Sequence, residues 1–229
     1  MIENRRSCRA ALAGSILVSL ALVVIWAARL TVDRPVYVSE LGADGEPTAG
    51  WFEFALLCVV GGGGAIAWAG RGIRSGARFI GRWSPSVSLT VAAGFFFVAS
   101  QVPCTAGCPL PVGDTFTGQD FVHTLAAVAA FAAACVAMLQ ASFARGRRLL
   151  RRLSMGAGVS VALIAAAGGM LSLLRFGTDV GSVLELVATT IAIGWLVVYG
   201  LSIVRHDART ATPASVPAAA VADELEPAR

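Results

Sequence analysis

The chain has 229 residues, of which 56% are hydrophobic and only 14% are charged, and its mean hydropathy is +0.74. Soluble domains have about 25% charged residues, so this composition excludes an ordinary soluble globular protein. The net charge of +4 does not indicate nucleic-acid binding, because the arginines are confined to short segments between apolar runs.

Six apolar runs predict an all-α membrane protein with six transmembrane helices. A bilayer core of about 30 Å needs about 20 helical residues to cross it, and five runs approach or exceed that length. The third run is the shortest and the most polar. Glycines in "GGGGAIAWAG" of the second run predict close packing between helices. The predicted spans are 10–28, 51–69, 87–102, 121–143, 155–174 and 183–204, within one domain over residues 1–209.

Arginines alternate with acids along the chain and predict the orientation. The N-terminal segment, the loops after the second and fourth spans and the segment after the sixth are rich in arginine, whereas the other three loops are acidic. The positive-inside rule then places both termini in the cytoplasm, in a multi-pass protein of the cell (plasma or inner) membrane. Residues 210–229, rich in alanine, proline and acids, are predicted to form a disordered cytoplasmic tail.

The stretch "QVPCTAGCPLP" in the third loop carries Cys104 and Cys108. Disulfides persist outside the cytoplasm, so an outward-facing loop favours pairing of the two cysteines. Free thiols and metal binding remain open as alternatives. A structural zinc site needs about four ligands, and of the two histidines only His123 is near this loop. We therefore predict neither a metal nor a cofactor.

Polar residues near the outer boundary are the candidate ligand-binding residues, because ionisable groups in membrane spans are costly and often functional. A cavity opening outward between the second, fourth and sixth helices would collect many of them. The candidates for ligand binding are Ser39, Glu40, Glu53, His123, Arg175 and Glu185, and the candidates for catalysis are His123 and Asp120.

Several of these residues also have structural interpretations. "TGQD", ending at Asp120, and "SVLE", ending at Glu185, both match the capping-box pattern. Arg175 could anchor at the headgroups or pair with Glu185. His123 lies three residues after Asp120, on the same face of the predicted helix.

The segment "YVSELGADGEPTAGWF" resembles the Y-[IV]-S-x-L-G-A signature of the bacterial membrane proteins called domain-of-unknown-function family 998. "DFVHTLAAVAAF" is similar to the H-x-x-x-A pattern of that family, and the damage-regulated autophagy modulator group shows a fainter similarity. The resemblance implies six helices with the marked residues outside, and by position it singles out Ser39, Leu41, Gly42 and His123. Glu53 departs from the pattern, where an apolar residue is common. No activity is implied.

Three functions fit these features. The first is a non-enzymatic bundle with an outward-facing pocket for a membrane lipid or small amphiphile, in a sensor or accessory role. The second is a membrane-embedded hydrolase or transferase acting on lipid headgroups, with His123 and Asp120 as an acid–base pair and Ser39 as a nucleophile if the first loop folds over the fourth helix. The third is a small transporter or channel. A homo-oligomer or a protein partner remains open.

Overall fold

A computed structural model describes residues 2–78, 80–109, 114–174 and 176–211. The described chain is almost entirely helical, which confirms the all-α prediction. Single-turn helices lie at Ser39–Gly42, Gly70–Gly72 and Ile80–Arg82. The six long helices are α1 (Ile2–Leu30), α2 (Ala49–Ala69), α3 (Pro85–Gln101), α4 (Gly118–Ala141), α5 (Arg148–Leu173) and α6 (Thr178–Ala211).

Each predicted span overlaps one helix, and the helices α1, α5 and α6 extend several residues further at their arginine-bearing ends. Helix α6 runs to Ala211, past the predicted start of the disordered tail at residue 210, and residues 212–229 lie outside the described part. Backbone hydrogen bonds within a helix do not depend on the membrane, so helices continue beyond the apolar run.

The helices have the length and surface of membrane spans. All except α3 are long and apolar enough to cross a bilayer, whereas α3 has 17 residues and measures about 26 Å at 1.5 Å per residue. Large apolar side chains face outward, including Leu163 (67% exposed) and Val128 (62% exposed). This apolar outer surface is what a lipid environment requires, and the chain is an integral membrane protein.

The helices form a closed ring in chain order, in which each helix packs against the next and α6 packs back onto α1. The α1–α2 contact is tight because it uses glycine on both helices. A Cβ atom at Gly62 would lie 2.7 Å from the carbonyl oxygen of Gly14, which a backbone cannot accommodate without moving. The neighbouring Gly61 and Gly64 face open space, so only part of the glycine run serves packing.

The bundle has two chemically different ends. At the end that we call the acidic end, the α1–α2 and α3–α4 loops are joined by a hydrogen bond from the Asp44 N–H to the Cys104 carbonyl oxygen (2.9 Å). At the other end, the arginine end, the α2–α3 and α4–α5 loops meet where the Gly76 N–H donates to the Phe143 carbonyl oxygen (2.9 Å). The first and third loops, both acidic, therefore lie together, and the Val38 N–H, which donates to Glu185 near the start of α6 (2.7 Å), places the start of α6 at the same end.

Candidate functional site

The α3–α4 loop at the acidic end contains a small covalent ring, closed by a disulfide between Cys104 and Cys108. Gly107 (φ 77°) and Cys108 (φ 45°) both adopt the left-handed backbone region, which lets the chain turn back within this short segment. Cys104 is buried at 1% exposure, and its sulfur lies 3.9 Å from the Ser39 carbonyl oxygen. The ring is thus anchored against the α1–α2 loop.

Asp120 fastens this ring to the start of α4. Its carboxylate accepts hydrogen bonds from the Thr105 N–H (2.7 Å) and the Thr117 N–H (2.9 Å), and both threonine hydroxyls also bond to it. The Thr117 side chain accepts from the Asp120 N–H in return, which completes the capping box that "TGQD" predicts. The carboxylate is fully buried and has its oxygens satisfied, so Asp120 has a structural role.

His123 lies one turn further along α4 and is 4% exposed. Its Nδ1 is 2.8 Å from the Val102 carbonyl oxygen and 3.2 Å from that of Ala99, at the end of α3. Carbonyl oxygens only accept, so Nδ1 carries a proton and donates it. In the neutral ring Nε2 is then a lone-pair acceptor, and it is buried without a hydrogen-bond partner among the described residues. An unpaired buried acceptor costs about 1–3 kcal/mol.

The predicted acid–base pair of His123 with Asp120 does not form. The sequence spacing puts the two residues on one face of α4, but each side chain has other partners. The Asp120 carboxylate bonds to Thr105 and Thr117, whereas the His123 ring bonds to carbonyl oxygens of α3. A carboxylate that already accepts four or more hydrogen bonds has no free lone pair with which to orient the imidazole.

Glu185 connects α6 to the first loop. Its Oε2 accepts from the Val38 N–H at 2.7 Å, and Ser39 also hydrogen-bonds to it. The alternative capping box at Ser182–Glu185 is wrong, because α6 begins at Thr178 and the Ser182 hydroxyl donates to the Asp179 carbonyl oxygen inside the helix. Glu185 therefore holds the first loop at Val38, 147 residues away in sequence, against α6.

Glu40 belongs to a surface ion-pair network rather than to the interior. Arg34 contacts Glu40 at 3.4 Å and Glu46 at 2.5 Å. Partial burial raises the pKa of the Glu40 carboxyl, and the positive charge of Arg34 opposes that rise. Exposed pairs of this kind contribute about 0–1 kcal/mol, so the network orders the first loop only modestly.

Two cavities of opposite character adjoin near the acidic end of the bundle, and the apolar one extends along the helices as far as Leu89 and Met138. The first, which we call the apolar cavity, has a volume of about 100 Å³ and lies between α2, α3, α4 and α6. Its walls are mostly alanine, leucine and aromatic side chains, with Ser39, His123, Glu185 and Thr189 as polar members. The second, the polar cavity, has a volume of about 330 Å³ and lies between the first loop, α2 and the end of α3.

The two cavities share a wall, and His123 is part of it. The shared residues are Phe52, Leu56, Ala99 and His123. The polar cavity adds the carboxylates of Asp44 and Glu53 and the side chain of Gln101. No arginine lines either cavity within the described part of the chain.

The structure thus brings together some of the predicted site residues and separates others. Ser39, His123 and Glu185 line the apolar cavity, and Glu53 joins His123 at the polar one. Glu40 and Asp120 line neither cavity, and Arg175 lies outside the described residues. The sequence patterns did not predict Asp44, Ser100, Gln101 or the aromatic wall as parts of the site. Of these, only Asp44 had a signal in the sequence, because it belongs to the acidic first loop.

A ring of apolar helices around an internal cavity defines a polytopic membrane protein with a candidate small-molecule site. The chain belongs to the DUF998 family of proteins of unknown function, whose family model matches residues 11–202. This match confirms the predicted resemblance to domain-of-unknown-function family 998. No curated protein and no solved structure matches the chain.

Proposed function

We propose that this protein binds a lipid or another small amphiphile inside the helix bundle, with its head group toward the acidic end, in a sensor or accessory role. The observation that supports the proposal is the adjoining pair of cavities, one apolar and one polar, with Phe52 and His123 in the common wall. An amphiphile has the same division, with a hydrocarbon chain suited to the apolar cavity and a head group suited to the polar one.

The walls of the apolar cavity favour a hydrocarbon guest. Phe131 packs edge-to-face on Phe96, with ring centroids 5.6 Å apart, and alanines such as Ala92 and Ala127 leave space beside these rings. Apolar cavities of comparable size stay dry and accept apolar guests. A guest also gains dispersion contacts that the wall atoms otherwise lack.

The hydrolase or transferase alternative has one observation in its favour, because Ser39 and His123 line the same apolar cavity. Against it, Ser39 hydrogen-bonds to Glu185, and His123 has no carboxylate partner among the described residues. A nucleophile needs an adjacent, oriented base, so binding fits this geometry better than turnover.

Native mass spectrometry of the purified protein in mild neutral detergent tests the proposal. We expect one additional mass per chain that survives gentle activation and matches a single class of amphiphile. Incubation with that compound should leave it chemically intact, whereas a hydrolysed product would favour the enzyme alternative. A protein that carries only a broad distribution of detergent and bulk lipid, and takes up no added amphiphile, would contradict the proposal.

We also propose that the acidic end, with the disulfide-closed loop, faces outward and that both termini are cytoplasmic, in the cell membrane. The arginine distribution of the loops supports this orientation. A green fluorescent protein fused after Ala211 should fluoresce, and an alkaline phosphatase fused at the same residue should be inactive. The opposite pair of results would contradict the proposed orientation. Fusions after Leu174, at the acidic end, are the control and should give a dark fluorescent protein and an active phosphatase.

A further inference from the structure

Cys104, Cys108 and His123 form a cluster at the acidic end, and of the three only His123 lines the two cavities. The two sulfur atoms and a ring nitrogen of His123 all lie within 4.8 Å of one another. Cys104 and His123 are buried, at 1% and 4% exposure, and Cys108 is half-buried. Two thiolate sulfurs and one imidazole nitrogen are the donor atoms of soft-metal sites.

The hydrogen bonding of His123 is that of a metal-ligating histidine. Such residues almost always donate one ring N–H to a carbonyl or carboxylate, which fixes the ring and leaves the other nitrogen for the metal. Here Nδ1 donates to the Val102 and Ala99 carbonyl oxygens, and Nε2 is buried without a partner among the described residues. Because Nδ1 is engaged, Nε2 is the nitrogen that is left to bind an ion.

We propose that the reduced form of this loop binds one thiophilic cation, Cu⁺ or Zn²⁺, through the Cys104 and Cys108 sulfurs and His123 Nε2. Both ions favour thiolate and imidazole donors, whereas Mg²⁺ and Ca²⁺ require oxygen ligands. Three ligands suffice for Cu⁺, and Zn²⁺ would complete its tetrahedron with water.

The disulfide and the metal site are alternative states of the same two cysteines. A dithiol reductant attacks the Cys104–Cys108 bond through a mixed disulfide, and a second thiolate of the reductant then displaces the second cysteine. The reductant leaves as its own disulfide, having supplied two electrons, and the protein gains two thiols. Metal binding releases the two thiol protons. The oxidised protein has no thiolate at this position and does not form the site.

The test uses the full-length protein in detergent, reduced without oxygen by dithiothreitol and then freed of the reductant. Cu⁺ is titrated against bathocuproine disulfonate, and Zn²⁺ against a chromophoric chelator. We expect one ion of at least one of the two metals per reduced chain and none at this site in the oxidised protein. His123→Ala and Cys108→Ser should each weaken binding at least tenfold, whereas Cys135→Ala, a cysteine elsewhere in the bundle, should change it less than twofold.

X-ray absorption spectroscopy of the metal-loaded wild-type protein identifies the ligand atoms directly. It uses no variant, so its result does not depend on whether a variant folds. For zinc the proposal predicts sulfur neighbours at about 2.3 Å and a nitrogen neighbour at about 2.0–2.1 Å. The proposal fails if the reduced protein takes up neither ion, if the absorption spectrum contains no sulfur, or if His123→Ala binds as tightly as the wild type.

Discussion

Asp120→Ala is expected to lower the free energy of unfolding by about 3–5 kcal/mol. The carboxylate is fully buried and joins three segments, because it accepts from the backbone N–H groups of Thr105 and Thr117 while beginning α4. Alanine would remove the acceptor of two part-buried N–H donors, those of Thr105 and Thr117, and would remove half of the capping box.

The measurement is thermal unfolding in detergent, followed by tryptophan fluorescence. A loss of this size corresponds to a fall of roughly 10 °C in the apparent melting temperature. The melting temperature of Asp120→Asn should lie between those of Asp120→Ala and the wild type. The amide oxygen of asparagine still accepts a hydrogen bond, whereas its NH₂ group is a donor and cannot accept from Thr105 or Thr117. Asp114→Ala, an exposed acid in the same loop, is the matched control and should melt within about 1 °C of the wild type. An unchanged melting temperature for Asp120→Ala would show that the carboxylate does not hold the loop.

Ala127→Phe is expected to reduce amphiphile binding at least tenfold, because its phenyl ring would occupy the space between α3, α4 and α6. Ala127 is half-buried and lines the apolar cavity together with Phe131. The cavity of about 100 Å³ is too small to accept both the added ring and a hydrocarbon chain. The measurement is the bound fraction of a single-chain lipid in native mass spectrometry at fixed protein and lipid concentrations.

Val128→Phe provides the control for this change. Val128 is the next residue of α4 and is 62% exposed on the outer surface, so the same ring added there faces the membrane. Binding within twofold of the wild type is expected for this variant, and melting temperatures of both variants report folding. Equal binding by Ala127→Phe and the wild type would place the amphiphile somewhere other than the apolar cavity.

The fold follows from signals that are local in the sequence. Five of the six apolar runs are long enough to cross a membrane as helices, and the "TGQD" pattern ending at Asp120 forms its capping box between neighbouring residues. The alternation of arginines and acids marks which loops share an end. These features depend on residues a few positions apart, and a single sequence displays them directly.

The site depends on contacts between distant segments, which a single sequence does not display. Glu185 looks like a helix cap because of its spacing from Ser182, but its partner is the N–H of Val38. His123 looks like the partner of Asp120, but the end of α3 supplies its hydrogen-bond acceptors. Whether Phe52 lines a cavity or fills the core depends on how closely four helices approach, which follows from packing rather than from pattern.

An amphiphile inside the helix ring is located most directly by photo-cross-linking. A single-chain lipid with a diazirine midway along its tail is equilibrated with the protein in detergent and irradiated, and the modified residues are identified by mass spectrometry. We expect adducts on the cavity walls, at residues such as Leu89, Phe131 and Trp195. Adducts confined to membrane-facing residues such as Val128 and Leu163 would contradict this location.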